Sequence, residues 1–147
     1  MNIWKEHSND VGTAFPPAFE LVHAINACML ARILSDKYDL DDEISQITCL
    51  FHDIGRIMTC KNENHAETGS ILIKEILFDK IKEEDLSKIS YAIFNHSNKD
   101  VEDDDRLSEF VKDVDVFNSY ILGYMSDKPS CKKRLHKIAD LLRYNIK

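Results

Sequence analysis

Apolar residues recur along most of the chain at spacings of three and four, the period of helices that each turn one face to a core. From Ala18 to Lys37, "AFELVHAINACMLARILSDK" places Leu21, Ile25, Cys28, Met29 and Leu34 near one face and predicts a long buried helix that ends in the polar "SDKYDLDD". Asp41 and Asp42 are N-cap candidates for a helix in which Ile44, Ile47, Leu50, Phe51 and Ile54 repeat, with Gly55 as its natural stop. The polar "CKNEN" leads into a helix over "HAETGSILIKEILF", and "LSKISYAIFNH" carries Leu86, Ile89, Ile93 and Phe94. After the interruption "VEDDDR", "LSEFVKDVDVFNSYIL" restores the period through Leu107, Phe110, Val111, Val114, Phe117 and Ile121. Pro129 suits the first turn of a last helix running to about Tyr144. Residues 1–16 are expected as an irregular or partly helical lead-in closed by Pro16 and Pro17. No alternating strand pattern of useful length appears. The expectation is an all-α fold, a compact single-domain helical bundle of about six helices over residues 1–147.

Several polar side chains interrupt the apolar faces. In "CLFHDIGRIM" His52 and Asp53 stand in the last turn before Gly55, where unpaired carbonyls favour a cation. Adjacent residues point about 100° apart on a helix, so one metal reaches both only from the groove between them, although an aspartate can also bridge two metals. His23 sits in the middle of the first long helix, His65 opens the helix after "KNEN", and His96 closes "YAIFNH". Asp115 lies among apolar residues in "VKDVDVFNSY". Singly, each has a structural explanation, such as a hydrogen-bonded core histidine or an aspartate paired with a buried cation. Projecting inward from different helices of a bundle, they would form a metal site.

Composition narrows the classes. A formal net charge of -7 argues against the cationic surface that duplex nucleic acid requires, and small anionic ligands would need local cations or metals. No apolar run approaches the roughly 20 residues of a membrane span, and the start "MNIWKEHSND" lacks the features of a secretory signal, so the cytoplasm is the default location. Cys28, Cys49, Cys60 and Cys131 have no C-x-x-C spacing and are expected as buried or inert thiols.

The ordered set His23, His52-Asp53, His65, His96, Asp115 resembles the HD-domain superfamily of metal-dependent phosphohydrolases, over residues from about Phe19 to Tyr120. "HDIGR" is similar to the family's His-Asp followed by an apolar residue and glycine, and "KDVDVFN" to the stretch that supplies its last aspartate ligand. "HAETG" is similar to the His-x-x-x-Gly of members with an additional histidine pair and a second metal. Where such members often carry two adjacent histidines this chain has "NHSN", and where many carry lysine after the glycine it has Arg56.

The resemblance implies an HD-domain-like bundle with its ligand-bearing core at about 19–120. It implies that His23, His52, Asp53 and Asp115 hold one metal and that Asp53 bridges to a second held by His65 and His96. The donor set favours manganese, iron, cobalt, nickel or zinc over magnesium, one or two ions per chain. The implied activity is hydrolysis of a phosphate ester or anhydride of a nucleotide or other small phosphorylated metabolite, with Asp53 and Arg56 catalytic. Alternatives are a di-iron oxygenase on the same scaffold and a non-catalytic metal-containing binding or regulatory module.

Arg56, Lys61 and Lys99, all expected in loops near the ligands, are candidate phosphate contacts. Trp4, Phe15 and Tyr91 are candidates to stack on a base, with packing against the core as the simpler role. Glu20, one turn before His23, is expected either beside the ligands or on the surface, and Asp113 as a solvated carboxylate. Lys132, Lys133, Arg134 and Lys137 form an expected solvated basic face on the last helix.

Overall fold

Seven α-helices succeed one another in the computed structural model, which describes residues 15–103 and 105–146. They are α1 (Pro17–Leu34), α2 (Asp42–Phe51), α3 (Ile54–Thr59), α4 (His65–Ile76), α5 (Glu83–Asn95), α6 (Arg106–Ile121) and α7 (Pro129–Leu142). No strand occurs among the described residues, and the expected all-α bundle is the fold observed. Trp4 and nearly all of the expected lead-in lie outside the described residues.

Local chemistry sets the boundaries. The Asp41 carboxylate caps α2 by accepting from the Ile44 amide at 2.8 Å, and the Asp105 carboxylate caps α6 from Ser108 in the same way. Proline occupies the first turn of α1 and of α7, where its missing N–H costs no helical bond. The first helix stops at Leu34 rather than Lys37. A 3₁₀ turn, Ser35–Tyr38, follows and closes on Asp39 in the left-handed conformation.

Two adjoining clusters make the core. Ala27, Ala31, Leu34, Phe110, Val114, Phe117, Leu135 and Ile138 join α1, α6 and α7, while Ile73, Leu77, Ile89 and Ile93 join α4 to α5 under Ile47 and Phe51 of α2. The first helix turns to this core the face opposite to the one its large residues define. Leu21, Ile25 and Met29 are exposed, as are Val22 and Ile33, and of the expected set only Leu34 is fully buried. The inward face is Phe19, Glu20, His23, Ala24, Ala27, Ala31 and Leu34. Alanine leaves room for close backbone approach to α2 and α6, and that approach puts His23 in the interior. The 21-residue stretch Ala18–Tyr38 is long and apolar enough to cross a membrane by length and composition, contrary to the expectation above. In the bundle its inward face carries a glutamate and a histidine.

Gly55 does not stop a helix. It is the second residue of α3, and a Cβ there would lie 2.0 Å from the His65 carbonyl oxygen and 2.7 Å from the Gly69 amide nitrogen. Gly69 lies against Gly55 in return, with an added Cβ 3.3 Å from its nitrogen. The two glycines let α3 and α4 meet backbone to backbone, which carries His65 toward Asp53.

On the far side of α6, Asp113 and Arg134 are interior and not solvated as expected. Asp113 is fully buried and accepts from Tyr38 at 2.9 Å, Arg134 at 2.8 Å and Lys137 at 2.6 Å. Arg134 is itself buried and also donates to Glu109 at 2.7 Å, so the basic stretch of α7 is in part an internal ion network. Burial alone would raise the Glu109 carboxyl, but Arg134 and Lys112 lower it to about 2. Lys132 and Lys133 are exposed, and Lys133 pairs with Glu102. Cys49 and Cys131 are buried, Cys28 is half-buried, and Cys60 is exposed at the left-handed end of α3. Tyr91 and Phe94 are exposed rather than packed in the core, and Phe15 packs against Phe19 and Tyr124.

Gly55→Ala is expected to lower stability by about 3 kcal/mol, because the new methyl meets backbone on two sides and α3 must part from α4. Asp113→Ala should cost about 3 to 5 kcal/mol by leaving the buried Arg134 guanidinium short of its partner. Urea unfolding of the metal-free protein measures both.

Candidate metal centre

Helix ends build the site. His52 is the C-cap of α2, His96 the C-cap of α5 and His65 the first residue of α4. Each sits beside a carbonyl, and its Nδ1 takes that partner three residues back: His52 with Cys49 at 2.6 Å, His65 with Asn62 at 2.7 Å, His96 with Ile93 at 2.7 Å. A carbonyl only accepts, so Nδ1 carries the proton. In the neutral ring the Nε2 lone pair is then left facing inward. His23, in mid-helix, has no such carbonyl. Its Nδ1 lies 2.5 Å from the Tyr124 hydroxyl and 3.0 Å from the Asn118 amide, whose nitrogen donates at 2.8 Å to the His23 carbonyl.

The inward atoms fall into two groups that share Asp53. In the first, His23 Nε2 is 2.9 Å from His52 Nε2, 3.4 Å from Asp53 Oδ2 and 3.2 Å from Asp115 Oδ1. His52 Nε2 lies 3.4 Å from Asp53 Oδ2 and 3.5 Å from Asp115 Oδ1. In the second, Asp53 Oδ1 is 3.3 Å from His65 Nε2 and 3.2 Å from His96 Nε2, which are 3.2 Å from each other. Ligands about 2.1 Å from a tetrahedral ion are separated by roughly 3.4 Å, so both groups match the edges of a coordination shell. Buried acceptors at such distances repel one another unless protons or a cation lie between them. The residues present therefore fit a divalent metal.

The electrostatics follow from the crowding. Burial would raise the Asp53 carboxyl, but the Arg56 guanidinium and, after it, His52 hold it well below the usual carboxylate range. Asp115 behaves alike, with Lys99 and the two histidines outweighing its burial. Burial opposes the proton on His52, yet Asp53 and Asp115 raise it to about 10. On His96 burial prevails and the value falls to about 4.

All six expected ligand residues are brought together. Arg56 lies on α3 rather than in a loop, with NH1 3.1 Å from Asp53 Oδ2 and NH2 3.2 Å from His65 Nε2. Lys99 lies in the turn after α5, with Nζ 2.5 Å from Asp115 Oδ2 and donating to the His96 carbonyl. Lys61 is exposed in the turn after α3 and its ammonium is not part of the cluster. Glu20 is buried against Arg56 at 3.8 Å, not on the surface. Sequence reasoning missed Tyr124 and Asn118. Asn118 stands three residues, about one helical turn, after Asp115 and is within reach of pattern reading, whereas Tyr124 arrives through a turn after α6 that leaves no local signal.

A model of the HD domain matches residues 21–120. Among solved structures, the crystal structure of a predicted HD superfamily hydrolase from an uncultured Thermotogales bacterium superposes with a TM-score of 0.59 at 17% identity, covering 97% of this chain and 86% of that one. No curated protein matches the chain significantly.

The His52 value fixes the sign of a proton linkage. Raised from 6.5 to about 10, its proton stabilises the metal-free fold, fully below the unfolded value and with the contribution lost as pH rises through about 10. A metal must displace that proton, whereas His96 is already neutral at pH 7. Isothermal titration in buffers of different ionisation enthalpy should find about one proton released with the first ion. Affinity should rise about tenfold per pH unit between about pH 7 and 9.

Proposed function

The chain belongs to the HD domain family, and from that premise we propose that it is a metal-dependent phosphohydrolase of the cytoplasm. Its substrate would be a phosphate ester or anhydride of a small metabolite, a nucleotide among the candidates. The observation that carries this reading is the shared carboxylate. Asp53 presents Oδ2 to His23 and His52 and Oδ1 to His65 and His96. On this reading His23, His52, Asp53 and Asp115 hold one ion, and Asp53, His65 and His96 a second. Nitrogen and carboxylate donors in this mixture suit manganese, iron, cobalt, nickel or zinc. Such ions supply an acidified water and Lewis-acid clamping of phosphoryl oxygens.

The chain's own residues supply orientation and charge. His23, His52, Asp53 and His96 are only 1% to 3% exposed, while His65, Lys99, Asp115 and Arg56 are 11% to 16% exposed and mark the side from which a substrate enters. Arg56 and Lys99 flank that opening, and a phosphate between them would meet a cation on either hand. A cavity of about 240 Å³, lined in part by Ser97, Lys99, Tyr124, Ser126 and Lys128, lies beside Lys99 and has room for the organic part of a small substrate. Lys61, which stands outside the cluster, would reach only an extended substrate.

Elemental analysis with phosphate release from nucleotides and simple phosphate esters, under added manganese, cobalt, nickel, iron or magnesium, tests the reading. The expected result is up to two ions per chain and metal-dependent release. His52→Ala and Asp53→Ala should each lower metal content and reduce release by at least about 100-fold, with helical content by circular dichroism retained. Iron-dependent oxygen uptake without phosphate release would transfer the assignment to the oxygenase, and persistent release by metal-stripped Asp53→Ala would overturn the mechanism.

A further inference from the structure

Among the described residues five buried side-chain polar atoms lack a hydrogen-bond partner, and three belong to one pair: Glu20 Oε1, Glu20 Oε2 and Arg56 Nε. The two side chains stand 3.8 Å apart, beyond hydrogen-bond distance, although both are largely shielded from water. Arg56 is instead engaged with the metal-ligating atoms. Its NH2 donates to His65 Nε2, whose ring proton is committed to the Asn62 carbonyl, so the guanidinium occupies the one lone pair His65 has for a metal. Its NH1 meanwhile neutralises Asp53 Oδ2. An ion bound by Asp53, His65 and His96 would take that lone pair and repel the guanidinium. The carboxylate outside the six-residue cluster that stands near it is Glu20, one helical turn before His23 and already 3.8 Å away. Glu20, only 3% exposed, gives the displaced guanidinium a counter-charge in this largely shielded position.

We propose that Arg56 is an internal counter-cation for the metal-free centre, and that Glu20 is the carboxylate into which it withdraws when the Asp53–His65–His96 group takes a divalent metal. This rests on the metal-centre reading above and deepens it. The Glu20–Arg56 pair then sets how much weaker the second ion binds than the first. Arg56 stabilises the metal-free form, and Glu20 stabilises the form with both ions. Both act as positioning residues for the metal, and the withdrawn guanidinium, hinged on α3, still faces the opening where a phosphate would sit.

Chelator-stripped full-length protein titrated with manganese, followed by isothermal titration and by the spin-resonance signal of free Mn²⁺, reads both affinities without reference to turnover. The wild-type protein is expected to show two unequal sites. Arg56→Met should tighten the weaker one by about tenfold or more, and Glu20→Gln should loosen it about fivefold or more, the stronger site changing far less. The double variant should resemble Arg56→Met alone, because Glu20 matters only while there is a guanidinium to receive. Arg56→Lys, with a single cationic head, should fall between wild type and Arg56→Met, and thermal unfolding checks that each variant is folded. Two manganese sites whose affinities are unmoved by Arg56→Met, or a double variant with the two effects simply added, would overturn the proposal and leave the metal centre standing. Absence of any manganese binding by the wild type would overturn both. One ion in the wild type and two in Arg56→Met would support the proposal in its strongest form.

Discussion

Four histidine nitrogens and two carboxylates converge within about 3.5 Å of their neighbours in a nearly water-free interior, and most of the surrounding structure serves to hold them there. Groups with this much negative and lone-pair character do not gather spontaneously. They are kept in place because their other hydrogen-bonding atoms are satisfied by backbone: three imidazoles each pair with the carbonyl three residues earlier, two of them at helix C-termini that leave such carbonyls unpaired. The rings cannot rotate without giving up those bonds. In the metal-free state the cluster is balanced by the proton on His52 and by the cations Arg56 and Lys99, which stand where solvent reaches the site.

Backbone proximity is the second requirement, and small residues meet it. Alanines along α1 bring His23 against α2 and α6, and the contact of Gly55 with Gly69 brings α4 close enough for His65 to reach Asp53. The large apolar residues of α1 are turned outward as a result, so the most hydrophobic-looking face of the helix is not its core face. Close approach of the ligand-bearing segments has prevailed over maximal burial of side-chain area.

The stretch "KDVDVFN" shows how two helix turns divide labour. Lys112 and Asp113 point into an ion network with Glu109, Arg134 and Lys137 that ties α7 to α6, while Asp115 and Asn118 reach the histidine–aspartate cluster and the His23 carbonyl. With about 100° between successive residues, Asp113 and Asp115 differ by roughly 200°, which places them on opposite sides of the helix. The buried network holds α6 rigidly, and through it the position of Asp115.

The sequence by itself determined the helical class, the approximate helix limits and the six residues whose order resembles a known metal-ligand set. Periodicity, caps and motif spacing are local properties, expressed within a turn or two of chain. Only the tertiary structure decided which face of α1 is buried, that Gly55 serves packing rather than termination, and that Asp113 and Arg134 are interior. It also brought in Tyr124 and paired Glu20 with Arg56. Each of these depends on what a neighbouring helix presents at a given point. A glutamate or arginine has the same local signature whether it meets water or an opposite charge tens of residues away.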